Sequence, residues 1–222
     1  MQPTTYHLLG RTGLRGSRRS LGTMTFGTEN GWGCDRKTAR AMFDAYLASG
    51  GNFVDSANIY TQGTGETWLG EFMSETGTRD RVVLATKYSF NDQNPQGNPN
   101  AAGNGRKNLI RSLDASLARL KTDYVDLYYL HAWDGITPAE EVLRSMDQVI
   151  RAGKVRHWAI SDAPAWYAAR IVTLAQCHGL EGPCAVQLEY SLVQRGVEYE
   201  FPAMCQELGL GLVAWSPLGG GL

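Results

Sequence analysis

Short apolar runs, many of them β-branched, alternate with amphipathic segments along almost the entire chain, and no other feature limits the fold so strongly. After an N-terminal stretch that reads as a hairpin, "YHLLGRTGLRGSRRSLG", a first strand ends at "GTMTFG". Six further strands follow: "FVD", "RVVLATK", "YVDLYYLH", "KVRHWAISD", "CAVQLEY" and "GLVAWSP". Helical periodicity fills the gaps between them. Helices are expected near Thr38–Ser49, in "ETWLGEFMS" and in "NLIRSLDASLARL", where Leu109, Leu113, Leu117 and Leu120 share one stripe. "TPAEEVLRSMDQVIRAG" carries Thr137 as N-cap and Pro138 at its first position, "PAWYAARIVTLAQCHG" closes on Gly179, and a last helix lies near Tyr199–Leu208. Strict β–α alternation implies a parallel sheet with helical crossovers. Runs such as "VVLA" and "AVQL", apolar on successive residues, belong to strands buried on both faces. The Asn-, Gly- and Pro-rich stretch from Phe90 to Gly105 forbids regular structure there.

Two architectures suit such alternation, a doubly wound open sheet and an eight-stranded barrel. The first places G-x-G-x-x-G after an early strand. "GTGETW" does not match that pattern and reads instead as a helix N-terminus, and "GLGL" precedes a strand. A barrel concentrates chemistry at the carboxyl ends of its strands. Here those ends read Asp55, Lys87, His131, Ser161 with Asp162, Gln187, and Trp215 with Ser216. The expected fold is therefore α/β, a (β/α)8 TIM barrel with an N-terminal β-hairpin and seven of its eight strands in this chain. Residues 1–222 form one incomplete barrel domain in this reading. A barrel of this kind usually takes about 250 residues, so the sequence is expected to be part of a longer chain.

Composition narrows the partners. Formal net charge is −1 with 19% charged residues, so no basic face points to nucleic acid or a membrane surface. No apolar run approaches the roughly 20 residues of a spanning helix, and "MQPTTYHLLG" lacks the features of a signal peptide. Cys34, Cys177, Cys184 and Cys205 are irregularly spaced and read as reduced thiols of a cytoplasmic protein. "CHGLEGPC" lacks zinc-ligand spacing, so no metal site is expected.

Asp55, Tyr60, Lys87 and His131 fall on or just beyond adjacent strand ends, where a barrel brings side chains together. Singly each has an ordinary explanation, such as a turn carboxylate, a solvated lysine, a surface tyrosine or a satisfied histidine. Together they suggest proton transfer. A free phenol has a pKa of ~10, and bringing it near neutrality takes ~4 kcal/mol. A unit charge about 4 Å away supplies ~1 kcal/mol in water but ~4 kcal/mol at an effective dielectric near 20. Lys87 therefore tunes Tyr60 only in a partly desolvated pocket, and Asp55 is the partner that keeps Lys87 charged there. His131 is placed to hydrogen-bond a substrate carbonyl.

The motifs "LGTMTFG", "FVDSANIYTQGTGETWLG", "LATKY", "YVDLYYLHAWD", "GKVRHWAISD", "VQLEYSLVQR" and "LVAWSPLGGGL" together resemble the aldo-keto reductases, nicotinamide-dependent barrel enzymes without a Rossmann domain. The resemblance implies Tyr60 as general acid/base, assisted by Asp55, Lys87 and His131, with hydride passing from NADPH to an aldehyde or ketone. It implies that Ser161 and Gln187 hold the nicotinamide carboxamide and that Trp215 stacks beneath the ring. Ser216 and Leu218 would approach the pyrophosphate, and Gly22, Thr23 and Met24 would reach the cofactor from the first strand. Asp162 stands where many members carry Asn, and an ionised Asp accepts hydrogen bonds without donating any. Trp32, Trp133 and Tyr88, near strand ends, suggest a bulky or aromatic carbonyl substrate. Two other readings start from the same residues: a Schiff-base lyase with Lys87 as nucleophile, and a cofactor-sensing regulatory subunit with negligible turnover.

Overall fold

The six residues Val83–Tyr88 are all buried, and their side chains alternate between two apolar layers. Val83 and Ala85 belong to an inner cluster, whereas Leu84 and Tyr88 belong to an outer one beneath the helices. That two-residue period organises the whole molecule. The computed structural model describes residues 5–91 and 97–221. It contains a two-stranded antiparallel hairpin, β1 (Tyr6–Leu8) and β2 (Arg15–Ser17), and a parallel sheet of seven strands in strict chain order. The sheet runs β3 (Leu21–Gly22), β4 (Phe53–Asp55), β5 (Val83–Tyr88), β6 (Val125–Leu130), β7 (Val155–Ser161), β8 (Ala185–Glu189) and β9 (Gly211–Trp215). Helices α1 (Arg36–Ala48), α2 (Thr64–Thr76), α3 (Arg106–Leu120), α4 (Ala139–Arg151), α5 (Ala165–His178) and α6 (Phe201–Leu208) make the crossovers. The sheet curls into part of a barrel, in agreement with the (β/α)8 expectation, with β3 and β9 as its two ends.

Register carries the parity from strand to strand. Gly22 pairs with Asp55, Asp55 with Ala85, Lys87 with Tyr129, and Ser161 with Gln187. Phe53, Val83, Ala85, Leu127, Tyr129, Ala159, Cys184 and Ala185 fill the concave side. Val54, Leu84, Tyr128, Leu130, Trp158, Ile160 and Val186 pack outward against the helices. Continuing each inward series by two residues reaches Asp55, Lys87, His131, Ser161 and Gln187. The polar strand ends are thus the inner face carried past its apolar floor.

The hairpin plugs the amino-terminal end of this interior. Leu9 and Leu14 pack on the inner cluster, and the Arg11 amide donates to the Gly209 carbonyl at 3.1 Å. Gly10 makes that approach possible: its φ is +57°, and a Cβ there would lie 2.2 Å from the Cys184 carbonyl oxygen.

Several boundaries differ from the sequence reading. The first strand stops at Gly22, because the chain turns as the Thr23 amide donates to the Asp55 carbonyl and Phe26 N–H to the Thr23 carbonyl. Pro138 itself caps α4. Thr137 instead donates its hydroxyl to Asp134 Oδ2 at 2.6 Å, and Asp134 Oδ1 accepts from the amides of Ile136 and Thr137. Residues Gly196–Tyr199 form a separate 3-10 turn before α6. Gly179 closes α5 in the left-handed conformation as expected. Of the irregular stretch between Phe90 and Gly105, residues 92–96 lie outside the described residues. Among the described residues, no helix is long and apolar enough to cross a membrane.

Candidate active site

Asp55, Tyr60, Lys87 and His131 converge at the carboxyl end of the sheet. Lys87 is fully buried, and its ammonium donates to Asp55 Oδ1, to the Ser56 carbonyl at 2.9 Å and to the Tyr60 hydroxyl at 3.3 Å. Asp55 Oδ2 accepts from the Gln187 side-chain amide at 2.8 Å. The His131 ring meets Tyr60 edge-on, with centroids 5.9 Å apart.

The chain holds Tyr60 in place with unusual backbone. Beyond β4 the loop stays fastened to β5, through Ser56 N–H to the Ala85 carbonyl at 2.9 Å and Asn58 N–H to the Lys87 carbonyl at 3.1 Å. Thr61 and Gln62 then adopt φ of 45° and 56°. For a β-branched threonine this is an uncommon, strained conformation. Thr61 is held there by burial and by its hydroxyl donating to the Phe26 carbonyl.

Burial and charge set the protonation states. Burial alone would lower the Lys87 pKa, but the Asp55 charge, Tyr60 and their hydrogen bonds outweigh it, so Lys87 lies above its ordinary value. Tyr60 corrects the sequence reading. Burial raises its phenol more than Lys87 lowers it, and Asp55 adds to the rise, so the net direction is upward. His131 is pushed down to about 3, first by burial and then by the Lys87 charge. It is a neutral imidazole at physiological pH, and its buried Nδ1 makes no hydrogen bond.

These groups open onto a cleft of about 1040 Å³ that runs down the concave side of the sheet. Gly22, Met24, Ser161, Asp162, Gln187, Trp215 and Ser216 line it together with Asp55, Tyr60 and His131. Two residues expected at the cofactor are not among the lining. Thr23 is fully buried, with its hydroxyl donating to the Asp55 carbonyl at 3.1 Å, and Leu218 is exposed. Asp162 sits at φ +42°, and its Oδ1 accepts from the Trp215 indole nitrogen at 2.9 Å.

The aromatic residues singled out for substrate binding lie elsewhere. Tyr88 is in the outer layer, wholly buried and stacked on Tyr128 with centroids 5.2 Å apart. The parity of β5 forces this, since Lys87 and Tyr88 cannot face the same side. Trp133 packs with Trp166 and Tyr167, and Trp32 is on the surface away from the cleft lining. Phe90, an exposed aromatic that is not among the cleft lining, packs edge-on to His131 with ring centroids 4.9 Å apart. The sequence reading also passed over the clamp behind His131. Ser89, at φ 119°, accepts at its hydroxyl from the His131 amide at 3.1 Å and from the Asn104 side chain at 2.8 Å. Asn104 and Asp134 bond reciprocally, each through its backbone N–H to the other's side chain, at 2.8 Å. Asn104 lies in the stretch read only as loop and Ser89 just before it, so no local pattern marked them.

The fold is a parallel half-barrel that brings Asp55, Tyr60, Lys87 and His131 together at the carboxyl ends of its strands. The chain belongs to the aldo/keto reductase family, whose model matches residues 20–222. It is 41% identical over 226 residues to norsolorinic acid reductase of Aspergillus flavus, covering 97% of this chain and 58% of that protein. It is 38% identical to aryl-alcohol dehydrogenase GME11368 of Pestalotiopsis microspora, covering 94% and 56%. It is 39% identical to a probable voltage-gated potassium channel subunit beta of Oryza sativa subsp. japonica, covering 98% and 65%. The chain thus spans between about half and two thirds of the length of these relatives.

Aldo/keto reductases generally use a nicotinamide cofactor, and the residues present fit one. The Trp215 indole offers a flat, partly exposed face at the cleft, while Ser161 and Gln187 supply a hydroxyl and an amide suited to a carboxamide. The unpartnered His131 Nδ1 shows that the imidazole has hydrogen-bonding capacity left over beside that cleft.

Proposed function

We propose that this protein is an NADPH-dependent cytoplasmic carbonyl reductase in which Tyr60 protonates the substrate oxygen. The observation that carries the proposal is the contact between the Lys87 ammonium and the Tyr60 hydroxyl at 3.3 Å, inside a buried ion pair with Asp55. When bound, the reduced nicotinamide supplies the hydride that attacks the carbonyl carbon. As the C=O π bond breaks, negative charge builds on the oxygen. Tyr60 gives its proton to that oxygen, and Lys87 stabilises the phenolate left behind until water reprotonates it.

The upward direction of the Tyr60 pKa is compatible with this role. A general acid must hold its proton until the acceptor becomes more basic, and a nascent alkoxide is far more basic than phenolate. His131, neutral, donates an N–H to the carbonyl oxygen and orients it. Asp55 and Gln187 keep the cation in place. Ser161 and Gln187 would hold the carboxamide, Trp215 the ring face, and Gly22, Met24 and Ser216 the neighbouring cleft wall. Phe90 beside His131, together with the likeness to an aryl-alcohol dehydrogenase, favours an aromatic aldehyde or ketone as substrate.

Lys87 argues against Schiff-base chemistry, because its amine is held charged by Asp55 and has no free lone pair. Tyr60→Phe tests the reading. Loss of the proton donor is expected to lower kcat for an aryl aldehyde by about 10²–10⁴-fold, while the Kd for reduced cofactor changes less than about twofold. An equal loss of cofactor binding would show that Tyr60 serves the pocket's structure instead.

A further inference from the structure

Arg18 and Arg19 line the cleft just after β2, and the groups at the carboxyl ends of the strands form a separate set. Asp55 and Lys87 neutralise one another, His131 is uncharged, and Tyr60 keeps its proton. Asp162 remains. It lines the same cleft, beyond the Ser161 end of β7, and has no cation in hydrogen-bond contact; its Oδ1 accepts from the neutral Trp215 indole. Backbone bonds hold it on both sides, with its own amide donating to the Gln187 carbonyl at 3.1 Å and its carbonyl accepting from Trp133 N–H at 3.2 Å. The left-handed φ of +42° is a conformation that Asp and Asn tolerate better than most residues. Burial raises its pKa and sets the net upward direction, with the Glu189 charge adding to it, while the Trp215 hydrogen bond and the Lys87 charge act the other way. The carboxylate is thus positioned against the aromatic side chain suited to stacking on the nicotinamide.

Resting on the reductase reading above, we propose that the Asp162 carboxylate sets the redox bias of the site, drawing the cleft toward the oxidised nicotinamide and making the bound reduced form a stronger hydride donor. The physical ground is a single difference in charge. An oxidised nicotinamide ring is cationic and a reduced one is neutral, so a nearby anion with no ion-pair partner stabilises the first more than the second. At an effective dielectric of about 20–40, a unit charge several ångströms away changes an equilibrium constant by about tenfold. For a two-electron couple that corresponds to about 30 mV. The same anion stabilises the positive charge that develops on the ring during hydride transfer. Trp215 has a positioning part in this, since its indole N–H holds the carboxylate beside the ring face.

Asp162→Asn isolates the charge. Asparagine accepts the left-handed backbone, and its amide oxygen still accepts from the Trp215 indole. Dissociation constants for NADP+ and NADPH would be measured on the full-length protein by quenching of tryptophan emission, at fixed ionic strength. The ratio Kd(reduced)/Kd(oxidised) is expected to fall by about tenfold in D162N. Glu198→Gln, which removes an exposed carboxylate paired with Arg195 outside the cleft, should leave the ratio unchanged. A D162N ratio within twofold of the parent overturns the proposal. So does a loss of affinity shared equally by both forms, which would make Asp162 a contact residue only. Failure of the parent protein to bind either form would instead overturn the reductase reading itself.

Discussion

Among the described residues, two carboxylates are buried in the layers of this molecule, and their surroundings differ. Glu66, on α2, is wholly buried and binds Arg119 of α3 at 2.7 Å and the Thr86 hydroxyl of β5. Asp55, at the end of β4, binds Lys87 of β5 and Gln187 of β8. Thr86 and Lys87 are neighbours in sequence but face opposite sides of the sheet, so each carboxylate serves one side of the same strand. The outer pair joins helix, helix and strand. The inner pair opens on a cleft and has a phenol within reach of its cation. The partner matters too, because guanidinium does not give up its proton in proteins, whereas a lysine ammonium is a compact donor able to tune and share one. A buried ion pair becomes chemical only when it faces a cavity and a third titratable group.

The largest expected effect breaks the inner pair. Lys87→Met leaves Asp55 buried without its cation and should cost about 3–5 kcal/mol of stability. In the protein that still folds, it should lower kcat by about 10²–10⁴-fold. Arg119→Met should cost a similar ~3–5 kcal/mol in urea denaturation, yet leave kcat of the folded fraction within about tenfold. If the folded Arg119 variant were as inactive as the Lys87 variant, the division between structural and chemical pairs would fail.

A smaller effect concerns His131. Its folded pKa of about 3 lies below the ordinary value near 6.5. Between those values the unfolded chain binds a proton that the folded chain refuses, so the His131 contribution weakens as pH falls through that window. The loss should reach at most a few kcal/mol by pH 3. His131→Asn should flatten the urea midpoint against pH over the same range. An unchanged slope would mean that other groups carry the acid sensitivity.

Much of the architecture was legible because it is periodic. The apolar runs of β5 to β8, the amphipathic α3 and the glycine that closes α5 carry their conformation in local pattern. Alternation along a strand also determined that Asp55, Lys87 and His131 face inward, and it would have excluded Tyr88 from the cleft. Short-range exceptions were harder. The first strand stops early, and Thr137 yields the capping position because Asp134, three residues upstream, gathers the donors. Ser89 with Asn104 and Glu66 with Arg119 were invisible for another reason. Their members are far apart in the chain and carry no spacing rule.

The sequence alone thus determined the order of strands and helices, the face on which each polar strand end falls, and the family to which the chain belongs. Tertiary structure alone decided how acidic those ends are. Tyr60 was expected to be lowered by Lys87, yet its burial weighs more, and His131 loses its charge to burial and to the lysine together. Periodicity is a property of near neighbours, which a sequence displays directly. Desolvation and Coulomb energy depend on every group that the fold brings close, and these are known only once the sheet has curled and the cleft has a shape.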